Sequence, residues 1–395
     1  MRSSRILIRH LFLLALLPIL LSGCWDRTET NDLAYVISTA IDLEDDGNVR
    51  ISFLMALPGQ MGGATGGGGG TAGKKSFYVD SEVGTTVRDA TNRLQKRTSR
   101  KINLAHRRIV VIGEAAARQR GIYPMFDSIP RIAESRMSSF LVVAKGKGYQ
   151  LLNAQPKFER FSAEAIRELA KPPLTMRLST KDVGLTLSMG SDPVIAYMEL
   201  AKSQKGKNPS EEIQWIGYAQ FQGDRMVGAY QDESAIALTW LKNKIMDSTI
   251  TFPMQKKKEI SIRVVDGHCW VTPTLNNGQI SFDVDIQLNG KVREDFSGQD
   301  LNKASALQNV ESKFSSYAKQ YMQKAIKQMQ ESQTDSAQFG MRVREKYPLE
   351  WRQGLKNNWR ELFSKATISI HLNTSITETG LINQNIIKKE EAEMP

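Results

Sequence analysis

The amino terminus constrains this chain more than any other segment, because it decides which residues fold and in which compartment they do so. Residues 1–10 contain Arg2, Arg5 and Arg9 and no acidic side chain. The next eleven residues, 11–21, are almost wholly apolar, although Pro18 weakens a helix there. A helix that crosses a bilayer needs about 20 apolar residues, so this run is too short to span one. A basic start, a short apolar run and small residues together predict a cleaved signal peptide over residues 1–23.

The predicted signal peptide is followed directly by a cysteine. The sequence Leu21-Ser22-Gly23-Cys24 resembles a bacterial lipobox. In lipoproteins of that type the cysteine receives a diacylglyceryl group and becomes the first residue of the mature chain. Ordinary secretion with an incidental cysteine is the alternative, but the place of Cys24 at the end of the signal favours lipidation. Two acyl chains anchor a protein stably, so we expect a chain tethered outside the cytoplasmic membrane.

The charge of the chain has to be counted for the mature protein. The full sequence has 395 residues, with 53 basic and 42 acidic side chains and a net charge of +11. Removal of residues 1–23 takes three arginines with it and leaves a net charge of +8. Outside the cytoplasm this charge faces a membrane surface and partner proteins, and nucleic acid is not an expected partner. A hydrophobic content of 41% with only two cysteines excludes a disordered chain and a disulfide-built scaffold.

Strands are predicted where apolar residues alternate or run continuously between turn residues. These segments are 49–57, 77–79, 109–112, 141–144, 260–264, 280–288 and 368–376. A β-hairpin is predicted at 215–227, where Gly223-Asp224 supplies the turn. The strands fall in runs between helices and not in regular βαβ alternation. This order favours an α+β fold with mixed or antiparallel sheets over a doubly wound parallel sheet.

Helices are predicted where apolar residues recur at spacings of three and four. Three of them begin near Thr85, Ser162 and Asp232. A fourth, about 30 residues long, surrounds 310–329, and a fifth begins at Pro348. The apolar stripe of the fifth helix consists of Trp351, Leu355, Trp359 and Leu362.

The chain divides at a polar, basic segment without apolar anchors, residues 201–210, which we predict to be a domain linker. It separates an N-terminal α+β domain, 24–200, from a C-terminal α+β region, 211–387. A further division of that region near 246–258 would make three domains. Residues 388–395 are predicted to be a solvated tail. The expected architecture is therefore two to three domains, each a mixed or antiparallel sheet flanked by helices, behind a cleaved lipoprotein signal peptide.

No group of side chains in the sequence indicates a reaction. The mature chain has three histidines, His106, His268 and His371, and no pair has the four-residue spacing of a helical zinc site. A Gly-x-Ser-x-Gly nucleophile motif does not occur. We expect Cys269 to be a buried structural residue and not a nucleophile. The sequence therefore predicts no catalytic residue, no metal site and no cofactor.

Three other patterns have both a structural and a functional interpretation. Asp283 and Asp285 share one strand face and are capable of acid–base chemistry, but the exposed face of a half-buried sheet predicts the same residues and is favoured. The glycine-rich run 62–73 lacks the Gly-Lys-Ser/Thr ending of a phosphate loop, so we expect a flexible loop between strands. The basic run 256–258 is either a solvated loop or a contact with anionic lipid, and both interpretations stay open.

Four segments resemble the Ger(x)C family of spore germination lipoproteins. They occur in the family's order and together cover most of the mature chain. The segments are Cys24-Trp25-Asp26-Arg27-Thr28-Glu29 with 31–34, residues 105–114, residues 217–228, and Asp335-Ser336-Ala337-Gln338-Phe339-Gly340 with 348–351 and Trp359.

The resemblance implies the C subunit of a nutrient germinant receptor. Such a subunit is lipid-anchored and non-catalytic, and it assembles with integral-membrane A and B subunits in nutrient-triggered germination. Its place is the outer face of the cytoplasmic membrane, which in the spore is the inner membrane. The family has β-sheet domains flanked by helices, in agreement with the α+β prediction. It has no established catalytic residues, so no such role is carried over to this chain.

The residues next to the lipid leave two interpretations open. Trp25, Asp26 and Arg27 serve either as a local tether or as a contact with partner subunits. Two other classes of protein remain as alternatives. One is a peptidoglycan-active envelope enzyme that uses Asp283 or Asp285, and the other is a solute-binding lipoprotein, for which regular βαβ alternation would be expected.

Overall fold

The computed structural model describes residue 10 and residues 29–57, 76–129, 131, 134–203 and 209–380. Apart from residue 10, the predicted signal peptide lies outside the described residues, as do Cys24, Trp25, Asp26, Arg27, the glycine-rich run and the tail. Within the described residues the chain forms two β-sheets with helices packed on both. The predicted α+β class, with mixed sheets flanked by helices, is confirmed.

Sheet I is built from the first nine strands. Its order is β3-β2-β1-β5-β6-β7-β8-β9, with β4 paired to the start of β1. The strands are β1 Leu33–Leu43, β2 Val49–Ala56, β3 Phe77–Gly84, β4 Lys101–Asn103, β5 Ile109–Gly113, β6 Phe140–Ala144, β7 Val194–Lys202, β8 Glu211–Gln222 and β9 Arg225–Tyr230. The four central strands β1, β5, β6 and β7 are parallel, and antiparallel strands flank them. Sheet I is therefore mixed, as predicted, but its centre consists of parallel strands joined by helical crossovers, which the apolar pattern did not indicate.

Helices cover both faces of sheet I. They are α1 Val87–Gln95, α2 Tyr123–Ser128, α3 Gly148–Asn153, α4 Ser162–Leu169 and α5 Thr180–Ser188, and a π-helical segment spans Ala116–Arg120. Val111 and Val142 face the side covered by α3 and α4, whereas Val110 and Val143 face the side covered by α2 and α5. Because both faces are buried, the central strands are continuous apolar runs.

Sheet II contains the remaining four strands, in the order β10-β11-β12-β13. They are β10 Ser248–Gln255, β11 Lys258–Asn276, β12 Gln279–Asp295 and β13 Thr367–Glu378. The helices of this half are α6 Asp232–Leu241, α7 Ala304–Glu331, α8 Phe339–Lys346, α9 Pro348–Glu350 and α10 Trp359–Lys365. One face of sheet II packs on α7, whose apolar stripe includes Phe314, Ala318 and Met322, and the other face is open to solvent. The predicted long helix is confirmed.

The linker predicted at 201–210 does not separate two units in the structure. Lys202 of β7 pairs with Glu211 of β8, and the Ser203 amide donates to the Ser210 carbonyl at 3.1 Å. The described ends of the polar segment, residues 201–203 and 209–210, thus lie at the pairing of β7 with β8 in sheet I. Sheet I ends at Tyr230, α6 follows, and sheet II begins at Ser248, inside the interval 246–258.

The helix predicted from Pro348 is also not continuous. The short helix α9, a π-helical segment at Trp351–Leu355 and helix α10 follow one another, with turns at 356–358. Trp351 and Trp359 nevertheless meet, with ring centroids 5.2 Å apart. The apolar stripe was therefore a correct sign of packing, but Gly354 and the two asparagines at 357–358 are poor helix formers and interrupt the helix.

Candidate functional site

The residues of two family-like segments converge on a buried polar junction between the two sheets. The β8–β9 hairpin of sheet I contributes 217–228, and the connection from α7 to α8 contributes 332–340. The loop before β7 and helix α10 complete the junction. We refer to the side chains of Asp192, Gln220, Tyr230, Asp335, Trp359 and Arg360 as the polar junction.

An ion pair closes the solvent side of the polar junction. Arg360 donates from its two terminal nitrogens to the two carboxylate oxygens of Asp192, at 2.9 and 2.7 Å. The buried Asp192 carboxylate also accepts from the backbone amides of Gly223 at 2.7 Å and Asp335 at 2.8 Å. One carboxylate thus connects the sheet I hairpin, the segment before α8 and helix α10. Four donors compensate it, which is what a buried carboxylate needs.

Asp335 organises the inner part of the polar junction. Its carboxylate accepts from the backbone amides of Phe339 and Gly340, both at 2.7 Å, at the start of α8. It also accepts from the indole nitrogen of Trp359 at 3.1 Å. Burial raises the pKa of this carboxyl above its usual value, and the three donors act in the opposite direction. The side chain therefore caps one helix and holds another through its tryptophan.

Gln220 and Tyr230 extend the hydrogen bonds into sheet I. The Gln220 side-chain amide donates to the hydroxyls of Ser332 and Thr334, both at 2.6 Å, and its oxygen accepts from Gln328 at 2.9 Å. The Tyr230 hydroxyl donates to Ser336 at 3.0 Å. Desolvation raises the pKa of Tyr230, which keeps the phenol protonated. These side chains are buried and hydrogen-bonded, so the polar junction is a rigid joint that fixes one sheet against the other.

One basic side chain lies beside the polar junction. Lys242, just after α6, is half-buried and donates from its ammonium to the Ser336 carbonyl at 2.9 Å. Desolvation lowers the pKa of Lys242 to about 8, against the effect of the Asp335 carboxylate, which raises it. The ammonium charge of Lys242 is therefore lost at a lower pH than that of an ordinary lysine.

The segment 105–114 has a different role. Arg107 is buried and donates to the Ser135 hydroxyl at 2.6 Å, and desolvation lowers its pKa to about 10. Glu114 accepts from Arg118 at 2.8 Å and from the Tyr197 hydroxyl at 2.9 Å. These contacts hold the ends of β5, so this segment supports the centre of sheet I.

Asp283 and Asp285, the candidates for acid–base chemistry, lie on the open face of sheet II. An Asp283 oxygen is 3.5 Å from His371, and both side chains are more than half exposed. Asp285 lies in register between Trp270 and His371. This placement agrees with the solvated sheet face that the sequence favoured. In the described part of the chain, no three His, Cys, Asp or Glu side chains are grouped to hold a metal ion.

Cys269 is buried, as the sequence predicted, and the lysines at 256–258 are exposed. Cys269 is buried, and desolvation raises its thiol pKa to about 12, so it is a poor nucleophile. His268, its neighbour, points away and packs on Trp270 with ring centroids 4.2 Å apart. Lys256 and Lys257 form the exposed turn between β10 and β11, and Lys258 is the exposed first residue of β11. Both interpretations of their charge stay open.

Sequence reasoning found part of the polar junction. Asp335, Trp359 and the 217–228 hairpin were recognised through the family-like segments. Asp192 and Arg360 were not, because each is a single charged residue in a polar surrounding. A polar segment, Asp335-Ser336-Ala337, that precedes the apolar Phe339 is typical of a helix start. This pattern is the signal in the sequence that points to Asp335 as a capping residue.

Two sheets joined through a hydrogen-bonded polar junction define an α+β scaffold. The chain belongs to the spore germination family of GerAC-like proteins. Residues 26–200 match the spore germination protein N-terminal domain. Residues 216–380 match the C-terminal domain described as spore germination B3/GerAC like. The family resemblance of the sequence is thereby confirmed.

Individual relatives cover almost the whole chain. It is 32% identical over 376 residues to the putative spore germination protein YfkR of Bacillus subtilis (strain 168), covering 94% of this chain and 96% of the relative. It is 26% identical over 394 residues to spore germination protein KC of the same strain, covering 95% and 96%. The crystal structure of the GerBC protein matches with a TM-score of 0.57 and 18% identity, over 86% of this chain and 96% of that one. This last match supports the fold.

Proposed function

We propose that the protein is a non-catalytic, lipid-anchored subunit of a spore nutrient germinant receptor, which acts by assembly with integral-membrane A and B subunits. A role in spore germination follows from the family. The observation that carries the finer proposal is the match of both domains to spore germination proteins, behind a lipobox-like cysteine. No helix among the described residues is long and apolar enough to cross a membrane. The proposed attachment is through Cys24, at the lipobox-like segment.

The start of β1 supports this attachment. Cys24 precedes Leu33, the first residue of β1, by nine residues, which reach at most about 32 Å when extended. Leu33 pairs with Lys101 of β4, at one edge of sheet I. Lys96 and Lys101 are exposed there, and Arg100 is partly exposed. Near an anionic lipid surface each such charge contributes about 1 kcal/mol. Anchoring at Cys24 would place this basic edge toward the outer face of the cytoplasmic membrane, the inner membrane of the spore.

The Cys24→Ala variant tests the anchor. We expect it to lose membrane association, receptor assembly and nutrient-triggered germination, because the protein would be released from the surface that holds its partners. A Cys269→Ala variant is the matched control, since that thiol is buried in strand β11 of sheet II. A Cys24→Ala protein that still fractionates with membranes and supports germination would refute the anchor.

A second experiment tests whether Asp26 and Arg27, which follow the proposed lipid-bearing cysteine, contact the A and B subunits. The double substitution Asp26→Ala with Arg27→Ala should reduce co-purification of the A and B subunits while the protein remains lipidated. Asp283→Asn with Asp285→Asn serves as a comparison on the open face of sheet II. This second pair should leave germination unchanged, because the proposed function needs no carboxylate chemistry. Loss of germination in the second pair, with assembly intact, would favour an envelope enzyme.

A further inference from the structure

A cavity opens at one edge of sheet I, and none of the six side chains of the polar junction lines it. It lies at the carboxyl ends of the parallel strands β1 and β5, between α1, α2 and the π-helical segment. Its volume is about 300 Å³, at the lower end of the range for small-molecule sites. The walls are mostly apolar, with Leu43, Val49, Ile112, Ile122 and Met125 among them. We propose that this cavity binds a small organic carboxylate with an apolar body.

The strand order gives an independent reason to expect a ligand at this point. From the carboxyl end of β1 the chain turns to β2 on one side. From the carboxyl end of β5 it continues through helices to β6 on the other side. Neighbouring parallel strands whose connections leave in opposite directions form a crevice between them. Open α/β sheets bind ligands in such a crevice, outside the carboxyl ends of the strands.

Two guanidinium groups give the mouth of the cavity its charge. Arg120 donates to the carbonyls of Gly47 at 3.2 Å and Thr85 at 3.1 Å, and it forms no ion pair with the residues that the structure describes. Arg88 is exposed and forms no ion pair within the described residues. The Asp127 carboxylate also lies at the cavity, but it forms an ion pair with Arg131, whose guanidinium donates to it at 2.8 Å. The local balance therefore favours an anion.

Asp42 does not change this balance at the cavity. Its carboxylate accepts from the amides of Gly148 at 2.6 Å and Tyr149 at 3.0 Å, at the start of α3. That helix covers the opposite face of sheet I. The Asp42 carboxylate thus stabilises the start of α3, and the positive charge at the cavity comes from Arg88 and Arg120.

The walls also discriminate between kinds of anion. The amide of Ile122 donates to the Asp224 carbonyl at 2.9 Å, and the amide of Met125 donates to the Ile122 carbonyl at 3.1 Å. These amides are therefore not free to bind a phosphate, which usually takes several backbone donors. A single carboxylate needs fewer donors and suits two arginines at the rim. The apolar walls then accept a branched or aromatic body.

Ligand-dependent stabilisation of the purified protein in solution tests the proposal. The probes are 4-methylpentanoate and phenylacetate, each compared with its uncharged amide. A ligand that binds the native state raises the melting temperature in a concentration-dependent way. We expect this for the carboxylates and a clearly smaller effect for the amides. Equal effects of acid and amide, or no effect of either carboxylate up to saturation of its solubility, would overturn the proposal.

Substitutions locate the binding. Arg88→Gln should weaken carboxylate binding by up to about fivefold, the range of an exposed ion pair. Lys96→Gln, an exposed charge beyond the end of α1, should leave it unchanged. Ala116→Leu should abolish binding by filling the cavity from its wall. If Ala116→Leu gives no cooperative melting transition, Arg88→Glu replaces it and must abolish binding. Binding by Arg88→Gln and Arg88→Glu at the strength of the unsubstituted protein would refute the site.

The inference does not rest on the lipid anchor. The cavity is formed wholly by sheet I and its helices, and the binding experiment has no readout that involves Cys24 or partner subunits. Failure of the anchor experiment would leave the cavity proposal intact, and the reverse also holds.

Discussion

Arg360 and Asp192 are 168 residues apart in the sequence and form a two-pronged ion pair that joins helix α10 to the loop before β7. The Asp192 carboxylate is 5% exposed, whereas 41% of the Arg360 side chain is exposed. The pair therefore sits at the rim of the polar junction, with its acidic end inside. Because Asp192 also accepts from two backbone amides, it couples three segments of the chain.

The substitution Asp192→Asn should destabilise the protein by about 1–3 kcal/mol. Loss of one partner from a fully buried pair costs more than this, but the exposure of Arg360 to water reduces the effect. Chemical denaturation of the purified protein measures the change. Glu361→Gln is the matched control, because Glu361 and Lys365 are both well exposed, and its effect should stay below about 0.5 kcal/mol. Equal effects of the two substitutions would show that the pair does not couple the sheets.

Gly340→Ala should destabilise the polar junction through a steric contact. A Cβ atom at Gly340 would lie 2.8 Å from the Trp359 ring and 3.1 Å from an Asp335 oxygen. The ring would have to move away from the carboxylate, at a cost of about 1–3 kcal/mol for overpacking. Gly354→Ala is the control, because a Cβ there meets no atom within 4 Å. Denaturation curves and tryptophan fluorescence report both variants, and an unchanged Gly340→Ala curve would contradict the tight packing.

Lys242→Met should remove a component of the pH dependence of stability. The native pKa of Lys242 is about 8, below its usual value of 10.5, because burial disfavours the ammonium. Between these values the unfolded chain binds more protons, so the contribution of Lys242 to the free energy of unfolding rises with pH. The slope is below ~1.4 kcal/mol per pH unit, since only one proton is involved and the side chain is half-buried.

The measurement compares denaturation of the two proteins at pH 7 and pH 10. The difference in unfolding free energy, unsubstituted minus Lys242→Met, should increase across this interval. Other titrating groups are common to both proteins and cancel. Lys244→Met is the matched control on a neighbouring residue that donates no hydrogen bond to Ser336. Parallel profiles for the unsubstituted and Lys242→Met proteins would contradict the assigned pKa.

Cys269 should be unreactive in the native protein. Its thiol is buried and its pKa is raised to about 12, so the thiolate that reacts with alkylating reagents is scarce at pH 8. Iodoacetamide should modify it only after denaturation, as followed by intact-mass spectrometry. A Cys269→Ser, Trp270→Cys variant places a thiol on the exposed neighbouring position and should react in the native state. Rapid native modification of Cys269 would mean that β11 opens readily.

The local apolar pattern was sufficient to predict the helices and strands whose partners are close in the sequence or whose pattern is strong. Helix α7 was predicted because its stripe repeats over 28 residues. The β8–β9 hairpin was predicted because Gly223 supplies a turn between two alternating segments. Strands β5 and β6 were found as apolar runs, since both of their faces are buried.

Other elements were missed where tertiary contacts override local preference. Strand β1 mixes Ser38, Thr39 and Asp42 with apolar residues, and all three are buried in the structure. Strand β7 ends in the alternating polar residues that were taken for part of a linker, because its last pairs lie at the exposed end of a hairpin. Parallel pairing among β1, β5, β6 and β7 joins residues far apart along the chain, and no local pattern specifies it.

The amino-acid sequence by itself determined the signal-like amino terminus, the α+β class, the long helix and the family, because each is carried by residues close together or by segments in a fixed order. Only the tertiary structure decided where the charges act. Whether Asp192 and Arg360 form an ion pair, or Arg88 and Arg120 share the mouth of a cavity, depends on the packing of distant elements. A single charged residue looks the same in sequence whether it is solvated or buried, because its energy is set by the groups that folding brings around it.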